Sequence, residues 1–259
     1  MSIAIVGKGA YDFAGQVVLL TGGASGIGAG IAQVLAEAGA TIVIADIDGD
    51  LAYQRASALQ QEGHRAGHVQ IDLADEDSIT RGCAQAIDAY GAPWALVNNA
   101  GLMDRQLLLE GTSREWDRIH QVNARGPYLM TREVARSMVG AGHGGRIVNI
   151  ASLALLGGIT HGHASYAASK AALLGLSRAC ALELAEHAIT VNTILPGGVA
   201  TKGAIASTGP APRGPGTRRP PLGMCEPRDI GAAALFFVSP IARLITNQVL
   251  AVDGGWSVT

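Results

Sequence analysis

Tyr166 and Lys170 stand four residues apart in Tyr166-Ala167-Ala168-Ser169-Lys170. On a helix this spacing sets a phenol and an ammonium on one face, within reach of one small space. A free tyrosine has a pKa of about 10 and is a poor base at neutral pH. A cation about 4–5 Å away, at an effective dielectric of about 20, stabilises the phenolate by roughly 4 kcal/mol, or ~3 pKa units. The expectation is a tyrosine that titrates near neutrality and can take a proton from an alcohol. Tyr and Lys meet at this spacing in many helices, so the pair acquires meaning only from what the rest of the chain puts beside it.

Upstream, an apolar run enters Thr21-Gly22-Gly23-Ala24-Ser25-Gly26-Ile27-Gly28 and gives way to a helical pattern. Glycines at a strand-to-helix turn let backbone N–H groups approach a pyrophosphate, and the helix N-terminus favours its negative charge. Gly22, Ser25, Gly26, Ile27 and Gly28 are therefore candidate cofactor contacts. Gly7-Lys8-Gly9 resembles a second such turn, but no helical pattern follows it. Asp46 closes the next apolar run, 18 residues after Gly28. A carboxylate there accepts the hydroxyls of an adenosine ribose and repels a 2′-phosphate. Ser25 rather than a basic residue precedes Gly26, and Ile47 follows Asp46, so NAD is expected over NADP. Capping of the following helix, the competing use for Asp46, can fall to Asp48. Asp72 and Leu73 follow the third run and are expected at the adenine rim. Asn99, Ala100 and Gly101 follow the fourth, with small and polar groups where the chain must pass close to the cofactor.

These residues need a scaffold that brings strand ends together. Short apolar runs at 17–21, 41–46, 66–71, 95–98, 146–150, 190–195 and 248–252 read as strands covered on both faces. Helical patterns at 27–38, 48–62, 75–90, 113–139, 165–186 and 227–238 alternate with them. Such alternation predicts right-handed crossovers and an α/β, Rossmann-type, doubly wound parallel sheet of about seven strands, with helices on both faces. We read 1–259 as a single domain with a short N-terminal extension at 1–16 and a Pro- and Gly-rich lid loop at 202–225. Apolar residues make up 48% of the chain and charged ones 15%, enough to bury a large core. A net charge of −2 without a basic block argues against nucleic acid, and no apolar run is long enough to span a membrane. Three scattered cysteines form neither a disulfide framework nor a metal cluster, so no metal is expected and a reduced cytoplasmic setting is the simplest.

From about Ala14 to Thr259 the chain resembles the classical short-chain dehydrogenases/reductases. The resemblance is carried by the turn at 21–28, Asn98–Gly101, Asn123, Ser152, Tyr166 with Lys170, Pro196-Gly197 followed by Thr201, and Val252-Asp253-Gly254-Gly255. It implies a catalytic set of Asn123, Ser152, Tyr166 and Lys170. In that set Tyr166 is the general acid/base, and Lys170 lowers its pKa and holds the nicotinamide ribose. Ser152 bonds the substrate oxygen, and Asn123 holds a water linking Lys170 to solvent. Pro196, Gly197, Val199 and Thr201 would seat the nicotinamide. The resemblance also implies a homodimer or homotetramer formed through the long helices and the apolar C-terminus. Ser152 lies 14 residues before Tyr166, one step longer than is usual in the family, and the extra residue is assigned to the substrate loop.

Together these features predict an NAD-dependent oxidoreductase of a secondary alcohol, with a sugar, polyol or hydroxy acid preferred. A cyclic, steroid-like or aromatic alcohol is the alternative, and a 3-oxoacyl reductase is disfavoured by Asp46. A non-catalytic nucleotide-binding scaffold would ordinarily lack the tyrosine or the lysine, which are both present. His161 and His163, between Ser152 and Tyr166, are candidate substrate contacts. The 202–225 segment carries Lys202, Arg213, Arg218 and Arg219 and no acid until Glu226. Arg218 and Arg219 are the candidates for holding an anionic substrate group through paired hydrogen bonds.

Overall fold

The computed structural model describes residues 11–201 and 208–259. The expectations placed on Gly7-Lys8-Gly9, on most of the N-terminal extension and on Lys202 lie outside the described residues. In chain order the main elements are β1 (Val17–Thr21), α1 (Gly26–Glu37), β2 (Thr41–Asp46), α2 (Gly49–Gln61), β3 (Ala66–Gln70), α3 (Glu76–Tyr90) and β4 (Ala95–Asn98). There follow α4 (Ser113–His120), α5 (Gly126–Ala141), β5 (Gly145–Ile150), α6 (Ala164–Glu183), β6 (Ile189–Pro196), α7 (Pro227–Val238) and β7 (Val249–Val252).

All pairings are parallel, and the strands lie in the order β3-β2-β1-β4-β5-β6-β7. Period-two alternation of side chains sends each strand into two separate cores. Val18, Leu20, Ile42, Ile44, Val97 and Val148 enter one face, packed with Ile31 and Leu35 of α1 and Ile230 and Phe237 of α7. Leu19, Val43, Leu96, Ile147 and Val191 enter the other, against Ile79, Leu129 and Val134. Burying each such aliphatic side chain contributes about 1.5–3 kcal/mol. That double burial is why the strands read as continuous apolar runs.

Two departures from the sequence reading matter for the site. The single helix predicted at 113–139 is interrupted: α4 stops at His120, a π-turn occupies Gln121–Arg125, and α5 begins at Gly126. The apolar periodicity survives one widened turn, which is why the pattern looked continuous. The helix predicted at 165–186 ends as α6 at Glu183, with a short 3-10 turn at Ala185–His187.

A buried polar ladder crosses the second half of the sheet. Asn98 Nδ2 donates to Asn149 Oδ1 (2.8 Å), Asn149 Nδ2 donates to Ser177 Oγ (2.8 Å), and Ser177 Oγ shares a hydrogen bond with Thr193 Oγ1 (2.9 Å). It joins β4, β5, α6 and β6 at one level, where unpaired polar groups would be costly. Asn149→Ala should therefore lower the unfolding free energy by about 2–3 kcal/mol in urea denaturation. A loss under about 0.5 kcal/mol would mean the ladder contributes nothing beyond ordinary surface substitutions.

Candidate active site

The strand order reverses at β1 and β4, and the crevice above their C-terminal ends is where a parallel sheet of this kind takes a ligand. Thr21 ends β1, and its hydroxyl accepts from the main-chain N–H of Asn99 (3.0 Å) and of Ala100 (3.1 Å). Asn99 Nδ2 donates back to the carbonyls of Thr21 (3.0 Å) and Gly22 (3.1 Å). Gly22 has φ +63°, and a Cβ there would lie 2.8 Å from Ala100 Cα. At Gly28 a Cβ would sit 2.0 Å from the Gly22 carbonyl oxygen, so α1 can press against the turn only through a glycine.

A dinucleotide fits what this turn leaves open. The Ser25 side chain makes no capping bond and no acid stands in the first turn of α1, so its N-terminus has no internal anion. Such an end is an anion site in its own right. Gly26 has φ +53° and packs against Thr201, which brings the β6 end over the turn beside Ile27. Asp46 is not spent on capping, because Asp48 caps α2 by accepting from Leu51 N (2.9 Å). Its carboxylate is held facing the turn by Ala24 N (3.3 Å) and Asp48 N (3.2 Å), while Ile47 is exposed. Asp72 accepts from Ala74 N (2.8 Å), and Leu73 is buried against Gly126. Beyond β6, the Pro196–Gly197 backbone lies so close to Asp253 that a Cβ at Gly197 would be 2.6 Å from its Cα. Val199 is buried and forms a parallel bridge with Cys225.

Ser152, Tyr166 and Lys170 meet at the ends of β5 and α6. Ser152 starts a short 3-10 turn, Leu153–Leu156, and its hydroxyl accepts from Ala154 N (3.1 Å). It also hydrogen-bonds the phenol of Tyr166. Ser165, the second serine, has a buried hydroxyl without a hydrogen-bond partner among the described residues. Tyr166 and Lys170 are both buried, and Lys170 Nζ donates to the Ile150 carbonyl (2.9 Å). Gly101 packs against both Lys170 Nζ and Asn123 Oδ1, which would each lie 3.1 Å from a Cβ at that position.

The electrostatics correct the first expectation. Burial raises the Tyr166 pKa above that of a free tyrosine, and the Ser152 hydrogen bond only partly opposes it. Burial likewise pushes Lys170 down to about 8. A Coulomb estimate between charges omits what each charge loses on leaving water, and here that loss dominates. The resting tyrosine is a neutral phenol.

Asn123 sits in the π-turn, fully buried. Its Oδ1 accepts from Leu102 N (2.8 Å), and its Nδ2 donates to Leu102 O (2.8 Å) and Ser169 Oγ (3.0 Å). Ser169 Oγ in turn donates to the Tyr166 carbonyl (2.7 Å). Asn123 thus clamps the loop after β4 to the helix carrying Tyr166. Thr21, Leu102 and Ser169, absent from the sequence-based set, complete this framework. A threonine ending the strand that carries the glycine turn was the available signal.

The candidate substrate residues divide. The His163 ring lies 5.2 Å from that of Tyr166 between centroids, with Thr160 bonded to both of its ring nitrogens. Burial, and then the charge of Arg105, lower its pKa. His161 is exposed, and its main-chain N–H donates to the Arg213 carbonyl (2.8 Å). Arg218 and Arg219 are exposed on the lid, and Arg218 Nη1 donates to the Thr259 main-chain oxygen (3.0 Å). Arg218 is thereby tied to the C-terminal segment, and Arg219 beside it is exposed. Among the described residues there is no cluster of three or more His, Cys, Asp or Glu placed to hold a metal, and no helix long and apolar enough to cross a membrane.

The profile of the enoyl-(acyl carrier protein) reductase family matches residues 22–257. Similar characterised proteins include the 2,5-dichloro-2,5-cyclohexadiene-1,4-diol dehydrogenase LinX of Sphingobium indicum, 37% identical over 251 residues, covering 96% of this chain and 99% of the relative. A sorbitol dehydrogenase of Cereibacter sphaeroides is 36% identical over 259 residues, covering 93% of this chain and 97% of the relative. A solved gluconate 5-dehydrogenase from Burkholderia cenocepacia J2315, in complex with NADP and tartrate, superposes with a TM-score of 0.87 at 30% identity, covering 97% of this chain and 99% of that one.

The depressed Lys170 pKa has a signed consequence for stability. Between about pH 8 and 10.5 the unfolded chain binds more protons at this lysine than the folded one, so its contribution to stability rises with pH across that window. Lys170→Met should therefore be stabilised relative to wild type below about pH 8. That advantage should fade toward pH 10.5, read from paired urea denaturation at each pH.

Proposed function

The chain belongs to the short-chain dehydrogenase/reductase family, and we propose that it interconverts a secondary alcohol and the matching ketone with NAD. The observation that carries this reading is the meeting of half-buried Ser152 with the buried Tyr166 and Lys170, beside a turn shaped for a dinucleotide. The coarser part, an oxidoreductase acting on CH–OH groups, is shared by relatives named for a cyclic diol, cyclopentanol and sorbitol. A sugar, polyol or hydroxy acid remains the preferred substrate. Relatives named as a 2-dehydro-3-deoxy-D-gluconate 5-dehydrogenase and a sorbitol dehydrogenase support it.

Gly22, Ser25, Gly26, Ile27 and Gly28 would hold the pyrophosphate, and Asp46 the adenosine ribose. Asp72, Leu73, Asn99, Ala100 and Gly101 would line the adenine side and crevice, and Pro196, Gly197, Val199 and Thr201 the nicotinamide end. When bound, the nicotinamide takes or gives the hydride. Asp46 supports NAD, because its carboxylate would repel a 2′-phosphate. Two solved neighbours, both named as gluconate 5-dehydrogenases, contain NADP, so the preference rests on Asp46 together with the absence of a basic residue at Ser25 and Ile47.

In alcohol oxidation Tyr166 first gives up its own proton to solvent, and the phenolate then accepts the hydroxyl proton while Ser152 donates a hydrogen bond to the same oxygen and steadies its developing charge. Lys170 supplies the positive charge that the buried phenolate requires. Asn123 acts on geometry, by fixing α6 against the loop after β4. In ketone reduction the same phenol donates its proton.

Tyr166→Phe should cut turnover by about a hundredfold or more while leaving dinucleotide binding, followed by NADH fluorescence, unchanged. Full turnover in that variant would remove the mechanism. Because the resting phenol is neutral, oxidation should quicken as pH rises above neutrality and reduction should slow. A panel of alcohols and sugars run with NAD and NADP tests the cofactor. Asp46→Ala should narrow the NAD preference by about tenfold or more, and equal use of both by the wild type would remove the argument.

A further inference from the structure

Two loops lead to the reacting groups, and residues 208–216 of the lid lie on both. Arg105 N, on the loop after β4, donates to the Thr208 carbonyl (3.0 Å). On the loop before α6, His161 N donates to the Arg213 carbonyl (2.8 Å), and the Ile159 carbonyl accepts from Gly216 N (2.8 Å). The approach is close enough to demand glycine. Gly209 has φ +110°, and a Cβ there would run into the Arg105 carbonyl oxygen. A Cβ at Gly216 would lie 2.8 Å from the Gly158 carbonyl oxygen. The first loop is the one that Asn123 holds at Leu102 through both of its amide atoms. The second ends at His163, whose ring lies 5.2 Å from that of Tyr166.

One side chain fastens this arrangement. Asp104 Oδ1 accepts from both Thr208 N (2.9 Å) and Thr208 Oγ1 (2.8 Å), and its Oδ2 accepts from Arg118 Nη2 of α4 (2.6 Å). Both carboxylate oxygens are therefore engaged within the fold. Resting on the secondary-alcohol reading above, we propose that Asp104 is a positioning residue of this site: it clasps residues 208–216 to the loop that Asn123 holds, and the docked lid is the state that takes up the alcohol. A carboxylate suits that task. Its bonds to a main-chain N–H, a hydroxyl and a guanidinium are charge-assisted and stronger than neutral ones. They are also partly exposed, with 21% of the Asp104 side chain accessible, so the clasp can open as substrate and product exchange. Arg118 ties it to α4, which runs directly into the π-turn carrying Asn123. The lid and Asn123 are thus held from one helix.

Hydrogen exchange reads the clasp directly, because the main-chain N–H groups of Arg105, His161, Thr208 and Gly216 are all donors in the docked arrangement. Asp104→Ala should speed their exchange by about tenfold, while the amides of α3 keep the wild-type rate. Adding Thr208→Val to Asp104→Ala should speed it little further, because the two changes remove one shared interaction. Asp104→Asn, which keeps an acceptor for Thr208, should restore part of the protection. Gly209→Ala obstructs docking from the lid side and should loosen the same four amides without touching Asp104. In the Asp104→Ala/Gly209→Ala double variant, kcat/KM should fall by about tenfold or more, mainly through KM, because only the docked fraction takes up substrate. It is measured with NAD and whichever of sorbitol and cyclopentanol the wild type oxidises. Unchanged exchange in Asp104→Ala overturns the proposal. So does an equal acceleration in α3, which would make Asp104 a general stability residue, and so does a loss carried by kcat alone. A wild type that oxidises no alcohol sinks the reading on which the proposal rests, and the four amides then still decide whether the clasp exists.

Discussion

Where the strand order reverses, the Thr21 hydroxyl accepts two successive main-chain N–H groups from the facing strand end, while Asn99 returns two bonds from its amide. Neighbouring strands that diverge above the sheet would otherwise leave these backbone groups unsatisfied. The stitch closes the crevice at its base and fixes the separation of the glycine turn and the 99–101 loop. Everything downstream inherits that separation. Gly101 lies against Lys170 and Asn123, and Asn123 fastens Leu102 to Ser169 and so to the main chain of Tyr166. The glycine turn, the 99–101 loop and the helix carrying Tyr166 are therefore a single hydrogen-bonded frame.

Burial gives that frame its chemical character. At an effective dielectric of about 20 the Lys170 charge would draw Tyr166 toward the phenolate, but the fold removes solvent from both groups and shifts each toward its neutral form. The tyrosine then holds its proton at rest, and the lysine shares its hydrogen with a carbonyl on β5. A preorganised polar site of this kind spends its stabilisation on the transition state rather than on the resting enzyme.

The parallel sheet was legible because strands buried on both faces must be apolar throughout, and Val17–Thr21, Thr41–Asp46 and Ala95–Asn98 stand where the runs placed them. The spacing of Ser152, Tyr166 and Lys170 was legible for a related reason, since one strand end and one helix face determine it. The π-turn at Gln121–Arg125 was not, because a single widened turn barely perturbs apolar periodicity. Nor was the placing of Arg105 and Arg218. Both are arginines in irregular segments, and only the fold decides that one meets the Pro210 carbonyl and the other the Thr259 main chain. The sign of the Tyr166 shift escaped because solvent exclusion is a property of the whole fold.

The π-turn carries a further implication for how this chain can change. One added residue in a helix turns all that follows by about 100°. On an unbroken helix Asn123 would share one face with Met130 and Val134, and the widened turn between them lets Asn123 bond Leu102 and Ser169 while α5 buries Leu129, Met130 and Val134 in the core. Length in this stretch is consequently rationed. Point substitutions on the exposed face of α5 leave the phase alone. A single-residue deletion between 121 and 125 would force a choice between aiming Asn123 and seating the core, and its damage would appear at both ends of the helix at once.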